Sequence, residues 1–391
     1  MRQTGDGGRD GAPGRGDAGV SDVATLAAID VGTVSTRLIV ARVGAVGEVE
    51  PVERRATITN LGRGVDASGV LDPAGIADTL ACVRAYGARL AELAGRGAAA
   101  RAVCVTLTSA ARDAANSEEL LRPMRDLGLK PQVIAGDVEA RLSLLGVAGD
   151  FPAGTRVLVA DVGGGSTELA LGRRDPATGE LAVLAGRSFD VGCRRVTERF
   201  LSGVDPSGPD FAVRVGRACA FVRDALGGFF APGGPCDPVA LGGSGGGEAA
   251  GGEALLADEL VCVGGTATSL VAVENRLVPY DPAFVHLHRM GRAEVERLAR
   301  ELLSMDPERR RRLPGLQPKR ADVIAAGALI VDELLASSGF GSYVASESDS
   351  LFGLLRCERA ALDGGRGPLG ASWQALAADA GAFARACSEP S

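Results

Sequence analysis

The chain has 391 residues, of which 46% are hydrophobic and 23% are charged, and this composition is typical of a soluble globular protein with two domains. The formal net charge of -7 argues against general nucleic-acid binding, which requires a basic surface. No apolar run reaches the ~20 residues of a membrane span, and no Cys-x-x-Cys pair occurs among the 8 cysteines, so we expect a cytoplasmic protein without zinc or disulfides.

The first elements are a polar tail and a strand–turn–strand unit. Residues 1–22 are rich in Gly, Asp and Arg, with too little apolar surface to become ordered, and they predict a disordered tail. In residues 26–41 an apolar strand ends on Asp30, a short turn contains Gly32, Thr33 and Ser35, and a second apolar strand follows. Glycine N–H groups and hydroxyls next to a strand end predict contact with phosphate.

A helical unit follows the first strands. Apolar spacing predicts a helix over residues 76–93, and Asp72-Pro73 is a typical start signal. Residues 101–106 predict a buried strand and residues 137–147 a further helix. The predicted order over residues 23–150 is strand, strand, strand, helix, strand, helix, strand, helix, which we assign to an N-terminal domain.

A second strand–turn–strand unit covers residues 157–172. Its first strand ends on Asp161, and the turn and the start of the next strand contain Gly163, Gly164, Gly165, Ser166, Thr167 and Glu168. Consecutive glycines let the backbone approach an anion closely. Two carboxylates beside a phosphate repel it unless a cation lies between them, so the pattern predicts Mg²⁺ held by Asp161 and Glu168. The alternative is an ordinary glycine-rich hairpin.

The two units lie about 130 residues apart and repeat the same chemistry at the same point. They predict two similar halves that offer one loop each to a phosphate chain. The second half, a C-terminal domain over residues 151–360, contains a flexible Gly-rich insertion at residues 231–258. Residues 361–391 predict a variable tail with a short helix over residues 372–386.

Further motifs carry a resemblance to a known family. The chain resembles the exopolyphosphatase / guanosine pentaphosphate phosphohydrolase family, in its short two-domain form, within the actin-like ATPase and sugar-kinase superfamily. Besides the two turns, the resemblance covers residues 101–116 with T-S-A-A-R-D, 133–142 with E-A-R-L, 192–201 with G-C-R-R-V-T-E-R-F-L, 263–269 with G-G-T, 280–286 and 320–330.

The resemblance implies a fold, an activity and partners. The fold is α/β, with two actin-like ATPase (ribonuclease H-like) domains whose mixed sheets and flanking helices face a central cleft. The activity is Mg²⁺-dependent release of orthophosphate from the end of inorganic polyphosphate. The alternatives are a guanosine pentaphosphate 5′-phosphohydrolase, a sensor with weak catalysis, and a kinase of the same superfamily, although no acceptor-binding signature is found. The resemblance also suggests a homodimer.

The resemblance assigns roles to individual residues. Glu139 activates the water, or else it is a helix-start glutamate favoured by the macrodipole. Glu168 binds the metal or orients the water, Asp161 binds Mg²⁺, and Asp30 does the equivalent work at the first turn. Arg112 offers a planar fork to phosphate, or else makes a surface ion pair. Gly264, Gly265 and Thr266 form a third anion loop.

The sequence departs from the family pattern at several positions. Val34 replaces an asparagine of the first turn, and Phe352 stands where an acidic residue is usual. Arg194 replaces a valine and, with Arg187, Arg195 and Arg199, is expected to give a positive field at the cleft. The carboxylates and glycine turns are retained, so we expect catalysis, while rate and substrate choice depend on these changes.

Overall fold

The computed structural model describes residues 23–231, 257–364 and 376–388. The predicted tail at residues 1–22 and all but the ends of the predicted insertion at residues 231–258 lie outside these ranges. Within them, no helix combines the length and the apolar character needed to cross a membrane.

The described residues form two mixed sheets with helices on their faces. The strands are β1 (Val23–Val31), β2 (Ser35–Gly44), β3 (Val49–Ile58), β4 (Ala102–Leu107), β5 (Pro131–Val133), β6 (Arg156–Val162), β7 (Thr167–Arg174), β8 (Leu181–Phe189), β9 (Glu259–Val263), β10 (Arg289–Gly291), β11 (Ser342–Ala345) and β12 (Ala378–Asp379). The helices are α1 (Val65–Ser68), α2 (Pro73–Gly95), α3 (Ser109–Asp113), α4 (Glu118–Asp126), α5 (Gly136–Val147), α6 (Cys193–Val196), α7 (Phe211–Phe230), α8 (Gly264–Glu274), α9 (Pro282–Val285), α10 (Arg292–Ser304), α11 (Pro307–Arg310), α12 (Ile324–Ser338), α13 (Ser350–Leu362) and α14 (Ala380–Ser388).

The element order predicted for the first half is confirmed. The helix predicted at residues 76–93 is α2, and its start signal acts as expected, because Asp72 accepts a hydrogen bond from the Ala74 N–H and Pro73 occupies the first turn. The strand predicted at residues 101–106 is β4, and the helix predicted at residues 137–147 is α5.

The two sheets repeat one topology. In the first, β1 pairs with β2 antiparallel and with β4 parallel, and β3 and β5 extend the two sides. In the second, β6 pairs with β7 antiparallel and with β9 parallel, and β8 and β11 extend the two sides. Strands β1, β2, β3, β4 and β5 thus correspond to β6, β7, β8, β9 and β11, which confirms the repetition predicted from the two turns.

Apolar residues cover both faces of each sheet. Along β1, Ala27, Ile29 and Val31 pack towards α2, α4 and α14, whereas Leu26 and Ala28 pack towards α5 and α13. The second sheet packs one face on α7, α8, α10 and α12 and the other on α5. Such doubly covered strands are typical of sheets with parallel pairs.

Helix α5 contacts both sheets and α13. Its Leu142 belongs to the cluster on the first sheet and its Leu144 to the cluster on the second. Where α5 and α13 cross, a Cβ on Gly353 would lie 2.8 Å from the carbonyl carbon of Leu142, and a Cβ on Gly146 would lie 2.7 Å from that of Asp349. The two glycines therefore permit the close approach that fixes α5, which carries Glu139.

The last described residues return to the first sheet. Ala378 pairs with Val103 of β4, and Phe383 of α14 is fully buried against α2. Of the helix predicted at residues 372–386, the part at 372–375 lies outside the described ranges, and the described helix begins at Ala380, after two residues that extend the sheet. The domain boundaries at residues 150 and 360 stay predictions, and α13 packs on the first sheet although it lies in the predicted second domain.

Candidate active site

The turns after β1 and β6 have the same hydrogen bond. The Gly32 N–H donates to the Ser35 carbonyl at 3.0 Å, and the Gly163 N–H donates to the Ser166 carbonyl at 3.0 Å. Each bond closes a tight turn between antiparallel strands, so the repeat extends from the topology to the backbone of the turns.

The two turns lie against each other and need glycine to do so. A Cβ on Gly164 would lie 2.6 Å from the Val34 methyl group, and a Cβ on Gly165 would lie 2.8 Å from the Thr33 hydroxyl. Val34, the departure from the family pattern, is therefore a buried packing partner of the second turn. The contact places the two predicted phosphate loops at one location.

A cavity of about 60 Å³ lies between the turns, the end of β4 and the start of α8. It is lined by most of the predicted site residues: Asp30, Gly32, Thr33, Ser35, Glu139, Asp161, Gly163, Gly164, Gly165, Ser166, Gly264, Gly265 and Thr266. The segment 264–266 is the first turn of α8 rather than a loop, so the predicted third anion loop is corrected to a helix start.

Glu139 is buried at the start of α5 and is held by Arg112. The Arg112 Nη1 donates to Glu139 Oε2 at 3.2 Å and to the Ile134 carbonyl at 3.0 Å. Burial, and then the charges of Glu168 and other nearby carboxylates, raise the pKa of Glu139 well above its usual range. A carboxylate in this state is a stronger base than an exposed one, which suits proton abstraction from water.

Asp161 and Glu168 are paired across β6 and β7 in the antiparallel register. Asp161 Oδ2 accepts from the Ser143 hydroxyl at 3.1 Å, and Glu168 Oε1 accepts from the Ser188 hydroxyl at 2.6 Å. Burial raises the pKa of Asp161 to about 6, and burial together with the charge of Asp161 raises the pKa of Glu168 to about 8. The charge of Arg37 offsets part of this effect on Asp161, but neither carboxyl forms an ion pair with a described residue.

This donor set fits a hydrated divalent cation. Among the described residues, no three His, Cys, Asp or Glu side chains converge closely enough to hold an ion by themselves. Mg²⁺ requires less than that, because it keeps several waters and takes one or two carboxylates together with substrate phosphate oxygens. Two adjacent buried carboxylates with raised pKa values meet this requirement.

Arg37 is a site residue that the sequence analysis did not single out. Arg37 pairs with Asp30 across β1 and β2, just as Glu168 pairs with Asp161 across β6 and β7. Its Nη2 donates to Asp30 Oδ2 at 2.7 Å and its Nη1 to Asp349 Oδ2 at 2.6 Å. The available signal was the spacing, since Arg37 follows Asp30 by the same seven positions that separate Glu168 from Asp161.

Three predicted residues do not line the cavity. The Thr167 hydroxyl donates to the Val191 carbonyl at 2.6 Å and is fully buried, which contradicts its predicted phosphate contact. Arg112 does not line the cavity either, and its partners are Glu139 and a backbone carbonyl rather than the surface carboxylates of the alternative. Glu168 does not line the cavity, but it pairs with Asp161 across β6 and β7, and its charge raises the pKa of Glu139.

The arginines expected to give a positive field have other partners. Arg187 lies 5.1 Å above the Phe189 ring, Arg194 donates to Asn60, and Arg199 donates to Asp66 at 2.7 Å. The cations that line the cavity are instead Arg37 and Arg320. Positive charge is thus present, but at different residues.

A groove of about 570 Å³ adjoins the cavity. Arg37, Gly264, Gly265 and Arg320 line both spaces. The guanidinium of Arg320 lies against Gly265, where a Cβ would overlap it, and within the described part of the chain this guanidinium makes no ion pair or side-chain hydrogen bond. An arginine without an acidic partner, at the junction of two cavities, is suited to an anionic ligand.

The rest of the groove is apolar and aromatic. Its walls include Leu277, Val278, Pro279, Tyr280, Pro282, Leu316 and Pro318, with Arg54, Arg55 and Glu347 on other sides. The Tyr280 hydroxyl donates to Glu347, which is also paired with Arg54. Phe352, at the place of an acidic family residue, lies 5.4 Å below the Arg54 guanidinium.

Comparison with known proteins agrees with this geometry. The profile of the Ppx/GppA phosphatase family matches residues 39–226. Exopolyphosphatase 2 of Mycobacterium tuberculosis is 36% identical over 343 residues, which cover 84% of this chain and 97% of that protein.

Solved structures show the same fold. The Ppx/GppA family member of Aquifex aeolicus is 28% identical, with a TM-score of 0.64 over 85% of this chain and 96% of that one. A crystal structure of an exopolyphosphatase-like protein has a TM-score of 0.71 at 28% identity, over 86% and 99% of the two chains. The predicted fold class, two actin-like ATPase domains with mixed sheets and flanking helices, is confirmed, whereas the central cleft stays a prediction. The chain belongs to the Ppx/GppA phosphatase family.

Proposed function

We propose that this chain is an exopolyphosphatase, which hydrolyses the terminal phosphoanhydride bond of inorganic polyphosphate and releases orthophosphate. The single observation that carries the proposal is the buried Glu139, with a raised pKa, beside a cavity lined by both glycine turns. Family membership and the name of the Mycobacterium relative support the same reaction.

The turns are suited to bind the terminal phosphoryl group. Hydrolysis of a phosphoanhydride needs positioning and charge neutralisation more than covalent chemistry from the protein. Gly164, Gly165 and Ser166 supply backbone N–H donors, since those of Gly32 and Gly163 close the turns, and Thr33 supplies a hydroxyl that is buried and has no partner among the described residues. Arg37 and Arg320 lie where the second phosphate would emerge into the groove.

Glu139 serves as the general base. It takes a proton from a water molecule whose oxygen attacks the terminal phosphorus, while the bond from that phosphorus to the bridging oxygen breaks and its electron pair leaves with the shortened chain. Arg112 positions Glu139 and limits the repulsion from neighbouring carboxylates. A general base of this kind contributes about 10²- to 10⁴-fold to a rate.

The resident metal is proposed to be Mg²⁺, held by Asp161 and Glu168, directly or through water. When bound, it neutralises charge on phosphate oxygens and on these two carboxylates. Asp30 does not take the equivalent role at the first turn, because the Arg37 guanidinium already neutralises it.

A guanosine pentaphosphate 5′-phosphohydrolase is the second candidate. The apolar and aromatic walls of the groove favour it, because a polyphosphate chain has no apolar part, whereas a nucleoside has a base that packs on such walls. Removal of the terminal phosphoryl group at the cavity is the same in both reactions.

The test is phosphate release from polyphosphates of several lengths and from guanosine pentaphosphate, with Mg²⁺, by the wild type and Glu139→Gln. The substitution keeps the size of the side chain and removes the base. Glu119→Gln is the matched control, because the Glu119 side chain is exposed on helix α4, and it is expected to retain wild-type activity. The expected result is release by the wild type and a loss of about 10²- to 10⁴-fold in Glu139→Gln.

The outcomes separate the candidates. Faster release from polyphosphate supports the exopolyphosphatase, and faster release from guanosine pentaphosphate supports the nucleotide phosphohydrolase. A wild type that binds both compounds but releases no phosphate overturns both proposals and leaves the sensor. Equal activity of Glu139→Gln and the wild type refutes the role of Glu139.

A further inference from the structure

The carbonyl oxygens of the glycine turn 163–165 are all bound by one short segment. The Cys193 N–H donates to the Gly163 carbonyl at 2.9 Å, and the Arg194 N–H donates to the Gly164 carbonyl at 2.8 Å. The third carbonyl, that of Gly165, accepts from the side chain of Arg195.

These bonds determine where the donors of the turn point. A peptide group is planar and trans, so the carbonyl of one residue and the N–H of the next point in opposite directions. Fixing the carbonyl of Gly165 therefore fixes the N–H of Ser166, a donor at the cavity. This third bond, at 2.9 Å from Arg195 Nε, comes from a side chain whereas the other two come from the backbone.

The same arginine also reaches the other half of the molecule. Its Nη1 donates to Asp66 of α1, and its Nη2 donates to Asp113 Oδ2 of α3 at 2.6 Å. The Arg195 side chain is only 11% exposed. Because a guanidinium is a rigid planar fork, its three contacts share one orientation, and the two carboxylates hold it in the orientation in which Nε faces the Gly165 carbonyl.

We propose that Arg195 is a positioning residue that couples the contact between the two halves to the shape of the phosphate-binding turn. When Asp66 and Asp113 hold its guanidinium, the Gly165 carbonyl is fixed and the Ser166 N–H faces the terminal phosphate. When the halves separate, this bond is lost and the turn relaxes. The effect on catalysis rests on the proposed function, whereas the coupling itself does not.

Arg199 provides a matched control. It also binds Asp66, through Nη2 at 2.7 Å, and it packs 5.2 Å above the Phe221 ring, but its hydrogen bonds go to the carboxylate and not to the turn. Arg199→Gln therefore removes an ion pair to the same aspartate of α1, from the turn that directly follows α6. If ion pairs in this region matter only for holding the halves together, Arg195 and Arg199 variants will behave alike.

The experiment combines amide hydrogen exchange with phosphate-release kinetics for the wild type, Arg195→Lys, Asp113→Ala and Arg199→Gln. The reporters are the amides of Gly163, Cys193 and Arg194, which form the bonds of the turn and its anchor. In Arg195→Lys and Asp113→Ala we expect at least tenfold faster exchange at these amides. We also expect kcat to fall at least tenfold with a smaller change in KM. Arg199→Gln stays within twofold of the wild type in both measurements.

The double variant tests the direction of the effect. If Asp113 acts through Arg195, then Asp113→Ala in the Arg195→Lys background lowers kcat no further, because residues of one network are not additive. Wild-type exchange at the turn in Asp113→Ala, equal effects in Arg199→Gln, or additive losses in the double variant would each overturn the coupling. A wild type that releases no phosphate contradicts the proposed function instead, and the exchange data still decide the coupling.

Discussion

Replacing Glu168 by Gln should change how the stability of the protein depends on pH. The side chain is 2% exposed and its oxygen accepts a hydrogen bond from Ser188, which a glutamine oxygen can also accept. Burial and the nearby charge of Asp161 raise the pKa of Glu168 to about 8. The substitution therefore removes a buried titrating group and keeps its size and its hydrogen bond.

The magnitude follows from linkage between protonation and folding. A carboxyl whose pKa is higher in the folded state than in the unfolded state favours folding when it is protonated, so its contribution is full below pH 4.5 and declines as pH rises towards 8. At about 1.4 kcal/mol per pH unit, the wild type should lose about 3 kcal/mol relative to Glu168→Gln between about pH 5.5 and pH 7.5.

Urea unfolding at several pH values, with a chelator present to remove Mg²⁺, measures this difference. Glu118→Gln is the control. Glu118 is exposed and its pairing with Arg125 lowers its pKa, so the difference in stability between Glu118→Gln and the wild type should not change as the pH rises over this range. If the free energies of unfolding of the wild type and Glu168→Gln change in parallel over this pH range, the idea that Glu168 is a buried carboxyl with a raised pKa is refuted.

Three further predictions concern activity, packing and metal binding. Because the pKa of Glu139 is raised well above its usual value of 4.5, phosphate release by the wild type should already decrease with falling pH well above pH 4.5, and a pH–rate profile whose acid limb lies near pH 4.5 would contradict this. Gly353→Ala should destabilise the protein by about 1–3 kcal/mol, because the added Cβ overlaps the backbone of Leu142. Gly227→Ala, in an open part of α7, should not destabilise it, and urea unfolding of both variants measures the difference. Mg²⁺ should raise the thermal midpoint of the wild type but not of Asp161→Asn, and equal shifts would remove Asp161 from the metal site.

The repeated strand–turn–strand units could be predicted because their signals are local. Apolar strands, an acid at the strand end and glycine with hydroxyl residues in the turn all lie within about fifteen positions of each other. The glycine turns, Asp30 and Asp161 were therefore found from local signals, whereas Glu139 was assigned through the family resemblance, and the structure brings all of them to one cavity. The helix that carries Glu139 was likewise predicted to within one residue at each end.

Residues whose role depends on tertiary contacts could not be found in this way. Asp349 reaches Arg37 from a position 312 residues further along the chain, through the return of α13 to the first sheet. Arg320 was part of a recognised motif, but its place at the junction of cavity and groove depends on the packing of its guanidinium against Gly265. The same reason applies to Thr167, since its hydroxyl donates to the carbonyl of Val191, 24 residues further along the chain, which the motif does not reveal.

The difference between the two halves explains where a cation belongs in this site. Both turns end a strand on a buried aspartate, but seven positions later the first half has Arg37 and the second has Glu168. The pair Asp30–Arg37 is neutral by itself, and Arg37 also neutralises part of the charge of Asp349. The pair Asp161–Glu168 consists of two carboxyl groups with raised pKa values, and a cation bound there would favour the ionised form of both. This one difference within the repeat gives the first turn a fixed guanidinium and leaves the second turn with the pair of carboxyl groups to which we assign the proposed Mg²⁺.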